Sequence, residues 1–214
     1  MRHLEPVHVF TLTMTLAEEN GATRLTWRQS FATAAECDKI RSYAPRCNEE
    51  NFDRLEAELA RMALEDRELV ITRVINAPPA AVFKAWTDPE LLKRWFTPPP
   101  YVTTFAELDV RPGGANLIIM KGPDGVEMPN RGVYLEVIPN EKLVITDAYT
   151  KAWEPSEKPF ITILLTFEDV GGKTNYTARV RHWTVADRET HEKMGFRQGW
   201  ETATDQLAAL VSHV

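Results

Sequence analysis

The chain has 214 residues, of which 43% are hydrophobic and 26% charged, the composition of a soluble globular protein with one large domain or one domain plus a fragment. A net charge of -6 and the lack of a dense basic cluster argue against a nucleic-acid or anionic-membrane surface, so neither partner is expected. No apolar run approaches the ~18 residues of a spanning helix, and MRHLEPVHVF has no h-region with a small-residue cleavage site; the expected compartment is the cytoplasm.

Two runs suited to strands come first, Phe10–Leu16 and Thr23–Phe31, on either side of an Asn20-Gly21 turn signal. An acidic, alanine-rich stretch then leads to an amphipathic helix with Phe52, Leu55, Leu59 and Met62 on one face. Cys37 and Cys47 lack the C-x-x-C spacing of oxidoreductases and read as ordinary thiols of a reducing compartment.

A strand follows at Glu68–Asn76. Pro78-Pro79 ends it and opens a helix over Ala80–Trp86, with Pro79 in the first turn. Asp88-Pro89 opens a second short helix, Glu90–Trp95, which Pro98-Pro99-Pro100 stops. Further strands are predicted at Thr103–Val110, Ala115–Lys121, Asn130–Ile138, Lys142–Tyr149, Phe160–Asp169 and Asn175–Thr184. Turn signals such as Arg111-Pro112-Gly113-Gly114, Pro123-Asp124-Gly125, Pro139-Asn140 and Gly171-Gly172 divide most of them. A final helix is predicted over Glu189–Ser212, with Phe196, Trp200, Ala203, Leu207, Leu210 and Val211 on one face. This order predicts an α+β fold: a curved seven-stranded antiparallel sheet around a long C-terminal helix, with a cavity between them as the expected ligand site.

The beginning of the chain repeats the grammar of its end. Alignment places Thr11 on Thr162, Met14 on Leu165, Leu16 on Phe167, Gly21 on Gly172 and Thr26 on Thr177. After a short slip, Phe52 falls on Trp200, Leu55 on Ala203 and Leu59 on Leu207. Residues 1–66 therefore read as a partial copy, two strands and a helix from the C-terminal third of a domain, and residues 67–214 as a complete domain. A lone hairpin is not stable in water, and an open sheet edge invites pairing, so a homodimer through the N-terminal fragments is expected.

The runs RVINAPPAAVFKAWTDPELLKRWFTPPP, ELDVRPGGANLIIM, GVYLEVIPNEKLVITDAY and the GW-containing last helix resemble the START-like, birch-pollen-allergen-like helix-grip superfamily (SRPBCC). Within it they look like the bacterial branch named after the activator of heat-shock-protein-90 ATPase homologue. The resemblance runs from Glu68 to the C-terminus and is weaker over the N-terminal fragment. It implies a helix-grip fold with a central pocket. It implies no single activity, because relatives include lipid and hormone binders, polyketide cyclases and aromatases, and co-chaperone domains.

No catalytic motif is found, and no cofactor or metal is expected. HEKMG at His191–Gly195 begins like a zinc-protease helix, but Gly195 stands where the second histidine is needed. GGKT at Gly171–Thr174 resembles part of a phosphate loop, but it joins two strands and offers no helix N-terminus to a phosphate. Asn175-Tyr176-Thr177 matches a glycosylation acceptor with no secretory route to use it.

The candidate ligand-binding residues are Trp86, Trp95, Met120, Tyr134, Tyr149, Trp153, His182, Phe196 and Trp200, with Trp183 as a further aromatic. Candidate acid–base groups are His182, Asp147, Tyr149 and Glu127. Strand alternation would put Asp147 and Tyr149 on one side of their strand, inward or outward. The leading expectation is binding of a small hydrophobic or aromatic molecule. The alternatives are a co-chaperone-like interaction module with a chaperone partner, and a cyclase-like or hydrolytic enzyme using His182 or Asp147.

Overall fold

The computed structural model describes residues 10–42 and 44–212, and the chain divides into two compact units, Met1–Arg61 and Met62–Val214. Among the described residues, no helix is long and apolar enough to cross a membrane.

In the first unit, β1 (Thr11–Glu19) and β2 (Ala22–Ser30) form an antiparallel hairpin, in register from Thr11↔Ser30 to Glu19↔Ala22. Its two-residue turn has positive φ at Asn20 (52°) and Gly21 (77°), the backbone that matches strand twist and that Asn-Gly adopts at least cost. Helix α1 (Ala34–Arg41) starts at a reciprocal capping box, Thr33 with Glu36, and α2 (Ala44–Glu65) follows. Phe52 meets Trp27 edge to face at 5.7 Å, but the rest of the helix face expected to pack on a sheet, Leu55, Leu59 and Met62, is exposed.

The second unit begins with β3 (Glu68–Ile75), α3 (Pro79–Thr87) and α4 (Pro89–Leu92). Pro79 stands at the start of α3, where its missing N–H costs nothing, and the Asp88 carboxylate caps α4 through the N–H groups of Glu90 and Leu91. The strands β4 (Val102–Leu108), β5 (Ala115–Lys121), β6 (Glu127–Ile138), β7 (Lys142–Thr146), β10 (Ile161–Val170) and β11 (Lys173–His182) then run as an antiparallel meander. A small hairpin of β8 (Tyr149–Lys151) and β9 (Glu154–Pro155) interrupts it. Strand β3 closes the far edge beside β11, giving the order β3-β11-β10-β7-β6-β5-β4. Two helices end the chain, α5 (Val185–Lys193) and α6 (Phe196–Val211). This is the predicted seven-stranded helix-grip architecture.

The core lies between the sheet and α3, α4 and α6. Trp86, Leu92, Tyr134, Leu143, Leu165, Phe167, Tyr176 and Leu207 are its main occupants, and Phe83 meets Phe167 edge to face at 5.7 Å. Each large apolar side chain buried here contributes about 1.5–3 kcal/mol.

Two local readings differ from the sequence expectation. Strand Lys142–Tyr149 stops at Thr146, because the next residue turns its side chain into a backbone anchor: the Asp147 carboxylate accepts the N–H groups of Phe160 (2.9 Å) and Ile161 (3.0 Å). Asp147 and Tyr149 thus do not share a strand. The single helix predicted over Glu189–Ser212 is two, because Gly195 takes φ 93°, a left-handed backbone that ends α5 and sets α6 in a new direction.

The β10–β11 hairpin and α5 reproduce the local plan of the first unit. Gly171 and Gly172 both have positive φ, the pairing runs from Ile161↔His182 to Val170↔Lys173, and Thr184 with Asp187 forms a second capping box.

Candidate functional site

The sheet, α3–α4 and α6 leave a cavity of about 730 Å³. Its wall from the helices carries Trp86, Trp95 and Phe96 on one side, and Phe196, Gly199, Trp200 and Ala203 on the other. The sheet contributes Asn116, Ile118 and Met120 from β5, which are alternate residues and so share one face, with Tyr134 from β6 and Ile163 from β10. Trp86 and Trp95 meet at 4.7 Å in a T-shaped pair, and Trp95 is locked by its Nε1–H, which donates to the Ala85 carbonyl at 3.0 Å. Gln206 fixes α6 to the cavity rim by donating from Nε2 to the carbonyls of Trp95 (2.7 Å) and Thr97 (3.1 Å).

Apolar surface predominates, but Asn116, Asn130, Arg131, Asp147, Lys158 and His191 also line the cavity. Asn116 is 8% exposed, and its Nδ2 has no hydrogen-bond partner. Trp86 Nε1, beside the Tyr176 hydroxyl, likewise makes no bond of normal geometry. Burial pushes the Tyr134 phenol upward, helped by the Asp109 charge, so the group stays a neutral hydroxyl at any physiological pH.

A histidine pair forms the far end. His182, at the end of β11 and 2% exposed, places Nδ1 3.0 Å from the Arg67 carbonyl and Nε2 2.9 Å from Nδ1 of His191. His191, in the last turn of α5, lines the cavity and packs against Phe160 (5.2 Å) and Phe196 (4.9 Å). Burial, with His182 adding to it, lowers His191 to about 4, so its ring is neutral at pH 7. Asp147 also lines the cavity, and there burial raises the carboxyl while its backbone N–H bonds and His182 oppose the rise.

The model of the Activator of Hsp90 ATPase homolog 1-like protein family matches residues 76–212. The chain belongs to this family. Protein NE0264 from Nitrosomonas europaea is similar in structure with a TM-score of 0.67 and 35% identity, over 69% of this chain and 96% of that one. Protein Ms6760 from Mycobacterium smegmatis gives 0.60 and 25%, over 71% and 94%. An AHSA1-like protein from Aeromonas hydrophila shares the fold at 0.52 and 19% identity, over 68% and 92%. A comparison with curated proteins finds no match.

Within this family fold, six of the sequence-predicted residues line one cavity: Trp86, Trp95, Met120, Tyr134, Phe196 and Trp200. Tyr149, Trp153 and His182 are not among its lining residues. Trp153 sits at positive φ in the β8–β9 turn and is 83% exposed, stacked edge to face on Tyr149; the early end of β7 carries both away from the sheet's inner face. His182 is a buried partner one residue behind the wall. Trp183 and Glu127 are exposed. Sequence reasoning missed Asn116, His191 and Gly199. Asn116 had a readable signal, since it is the one polar residue on the inward alternation of an otherwise apolar strand. His191 had none, because its position depends on the break at Gly195.

Proposed function

We propose that the cavity binds a small, largely apolar molecule, aromatic or lipidic in character. The observation that carries this reading is the set of aromatic side chains, Trp86, Trp95, Tyr134, Phe196 and Trp200, lining a half-open cavity of about 730 Å³, within the size range of small-molecule sites. Nδ2 of Asn116, behind this wall, is a buried donor without an acceptor, which costs about 1–3 kcal/mol. Catalysis is not part of this reading: the Asp147 carboxylate is occupied by two backbone N–H groups rather than by a side-chain partner.

Titration of the full-length protein with the apolar fluorophore N-phenyl-1-naphthylamine tests the reading. Saturable binding of one molecule per chain, displaced by small aromatic competitors, supports it. A probe that shows no saturable enhancement, together with a bare chain mass in native mass spectrometry of gently purified protein, overturns it.

A second reading concerns assembly, and a separate observation favours it. Met14 (58% exposed), Leu16 (72%), Leu55 (44%) and Leu59 (56%) stand where the second unit has Leu165 (0%), Phe167 (2%), Ala203 (8%) and Leu207 (0%). The first unit thus presents core-type positions to solvent, as a partial helix-grip copy would. We propose that a second copy of the chain pairs antiparallel along the β1 edge and sets its own Met14 and Leu16 beside those of the first. The β2 edge is the poorer choice, because self-pairing there would oppose Arg24 and Arg28 with like charges, whereas β1 carries no charge from Thr11 to Ala17.

A further inference from the structure

We infer that Nε2 of His191 is a fixed hydrogen-bond acceptor in the cavity wall, so that the ligand presents a hydroxyl donor to it, as a phenol or an aromatic alcohol does. This rests on the cavity-binding reading and names the ligand class for it.

The argument starts from a carbonyl that can only accept. The Arg67 oxygen takes the backbone N–H of His182 at 2.9 Å and faces Nδ1 of the same residue at 3.0 Å, so that ring nitrogen carries the proton. While His182 carries only that proton, its Nε2 is a bare lone pair, and it faces Nδ1 of His191 at 2.9 Å, which must donate. Two bonds thus fix two tautomers, and His191 is left with an unprotonated Nε2. Among the described residues none donates to this atom, and its ring is held at the cavity surface between Phe160 and Phe196.

The surroundings select the kind of donor. Burial beside Phe160 and Phe196 keeps His191 neutral, so an uncharged donor meets it there without an ion to desolvate. A carboxylate or an ether would set lone pair against lone pair at Nε2, so an anion would turn instead to Arg131 or Lys158, which also line the cavity. An ammonium group could donate to His191 but would have to leave its hydration shell to do so. A hydroxyl has both a donor and acceptor lone pairs, so a hydroxylated aromatic satisfies the donor demand and fills the aromatic wall.

Calorimetric titration of the full-length protein with 2-naphthol, 2-methylnaphthalene, 2-methoxynaphthalene and 2-naphthoate tests this directly. The expected result is about tenfold tighter binding of 2-naphthol than of the methyl and methoxy compounds, the scale of one buried hydrogen bond, and 2-naphthoate, which has no donor for His191, should be insensitive to the His191 substitution below. In His191→Phe the naphthol preference should shrink to about twofold. Should that variant fail to fold, the wild-type ratios decide alone, alongside long-range nitrogen–proton NMR, which should report His191 as the Nδ1–H tautomer. Equal affinity for naphthol and methylnaphthalene would leave cavity binding standing and overturn the donor assignment. An Nε2–H tautomer would overturn it too. If none of the four compounds binds, the cavity reading falls and this inference with it.

Discussion

The side-chain amide of Asn116 lies across the Cα of Gly132, its partner in the β5–β6 ladder: a Cβ built on Gly132 would come within 3.2 Å of Asn116 Nδ2 and within 2.7 Å of the Thr146 carbonyl. The glycine is therefore a spatial requirement of the cavity floor rather than a turn device. Gly132→Ala should destabilise the protein by about 1–3 kcal/mol, because the clash is with backbone and the sheet must shift to relieve it. The change should also weaken apolar probe binding by displacing Asn116. Urea unfolding and probe titration check the two effects, and an alanine variant with unchanged midpoint would show that the floor yields freely.

Gly199 is the opposite case. It lies inside α6 on the cavity wall, and a Cβ there would meet only Pro98 Cγ at 4.0 Å. Gly199→Ala should raise stability by about 0.5–1 kcal/mol through helix propensity. Gly199→Phe should instead fill the cavity and abolish probe binding while the chain stays folded. Circular dichroism melts separate the stability effect from the binding effect; a phenylalanine variant that still binds at full affinity would move the ligand site elsewhere.

How much of this was readable beforehand follows from the range of the interactions involved. Asn20-Gly21, Pro79 and Asp88 act within a few residues, so the hairpin turn and the starts of both short helices were legible, while the second helix ends at Leu92 rather than at the expected Trp95. The alternation of Asn116, Ile118 and Met120 and the apolar face of α6 likewise fixed which residues turn inward. What escaped depends on distant partners. Asp147 leaves its strand because Phe160 and Ile161 offer N–H groups from across a loop, and that takes Tyr149 and Trp153 out of the cavity. His191 reaches the wall only because Gly195 divides a helix whose apolar period is continuous enough to read as one.

Acid should loosen the histidine end of the fold. His191 is held near 4 in the folded protein against about 6.5 in an unfolded chain, so below neutrality the unfolded state binds more protons. The stabilising contribution is complete above about pH 6.5 and is lost as pH falls toward about 4. The raised Asp147 carboxyl acts in the opposite sense, since its protonation relieves a burial cost, so the test compares two proteins that both keep Asp147, from pH 7 to 5. Over that range the urea midpoint of the wild type should fall, and that of His191→Gln should fall less. Parallel slopes for the two proteins would place the acid sensitivity elsewhere.

Glu68 joins the first and last strands of the sheet. Its side chain is 5% exposed and receives Arg179 Nη1 at 2.6 Å and Arg181 Nη2 at 2.7 Å, while the two arginines remain 41% and 36% exposed. Removing the carboxylate by Glu68→Ala leaves cations that water can still reach, so the loss should be about 1–3 kcal/mol, less than for a fully buried pair. Glu68→Gln should recover part of it by keeping the hydrogen bonds. Equal losses in the two variants would assign the effect to charge alone.

The assembly reading makes its own demand on the first unit. If two copies pair along β1, with Met14 and Leu16 of each beside those of the other, then replacing both by charged residues, Met14→Glu with Leu16→Glu, should turn a dimer into a monomer. Both side chains are exposed in the single chain, so the second unit has no reason to lose its fold. Sedimentation equilibrium of the full-length protein and the double variant, over a range of concentrations, gives the answer. A wild type that remains monomeric at high micromolar concentration would end the proposal outright. A double variant that stays dimeric would keep a dimer but remove β1 from its interface.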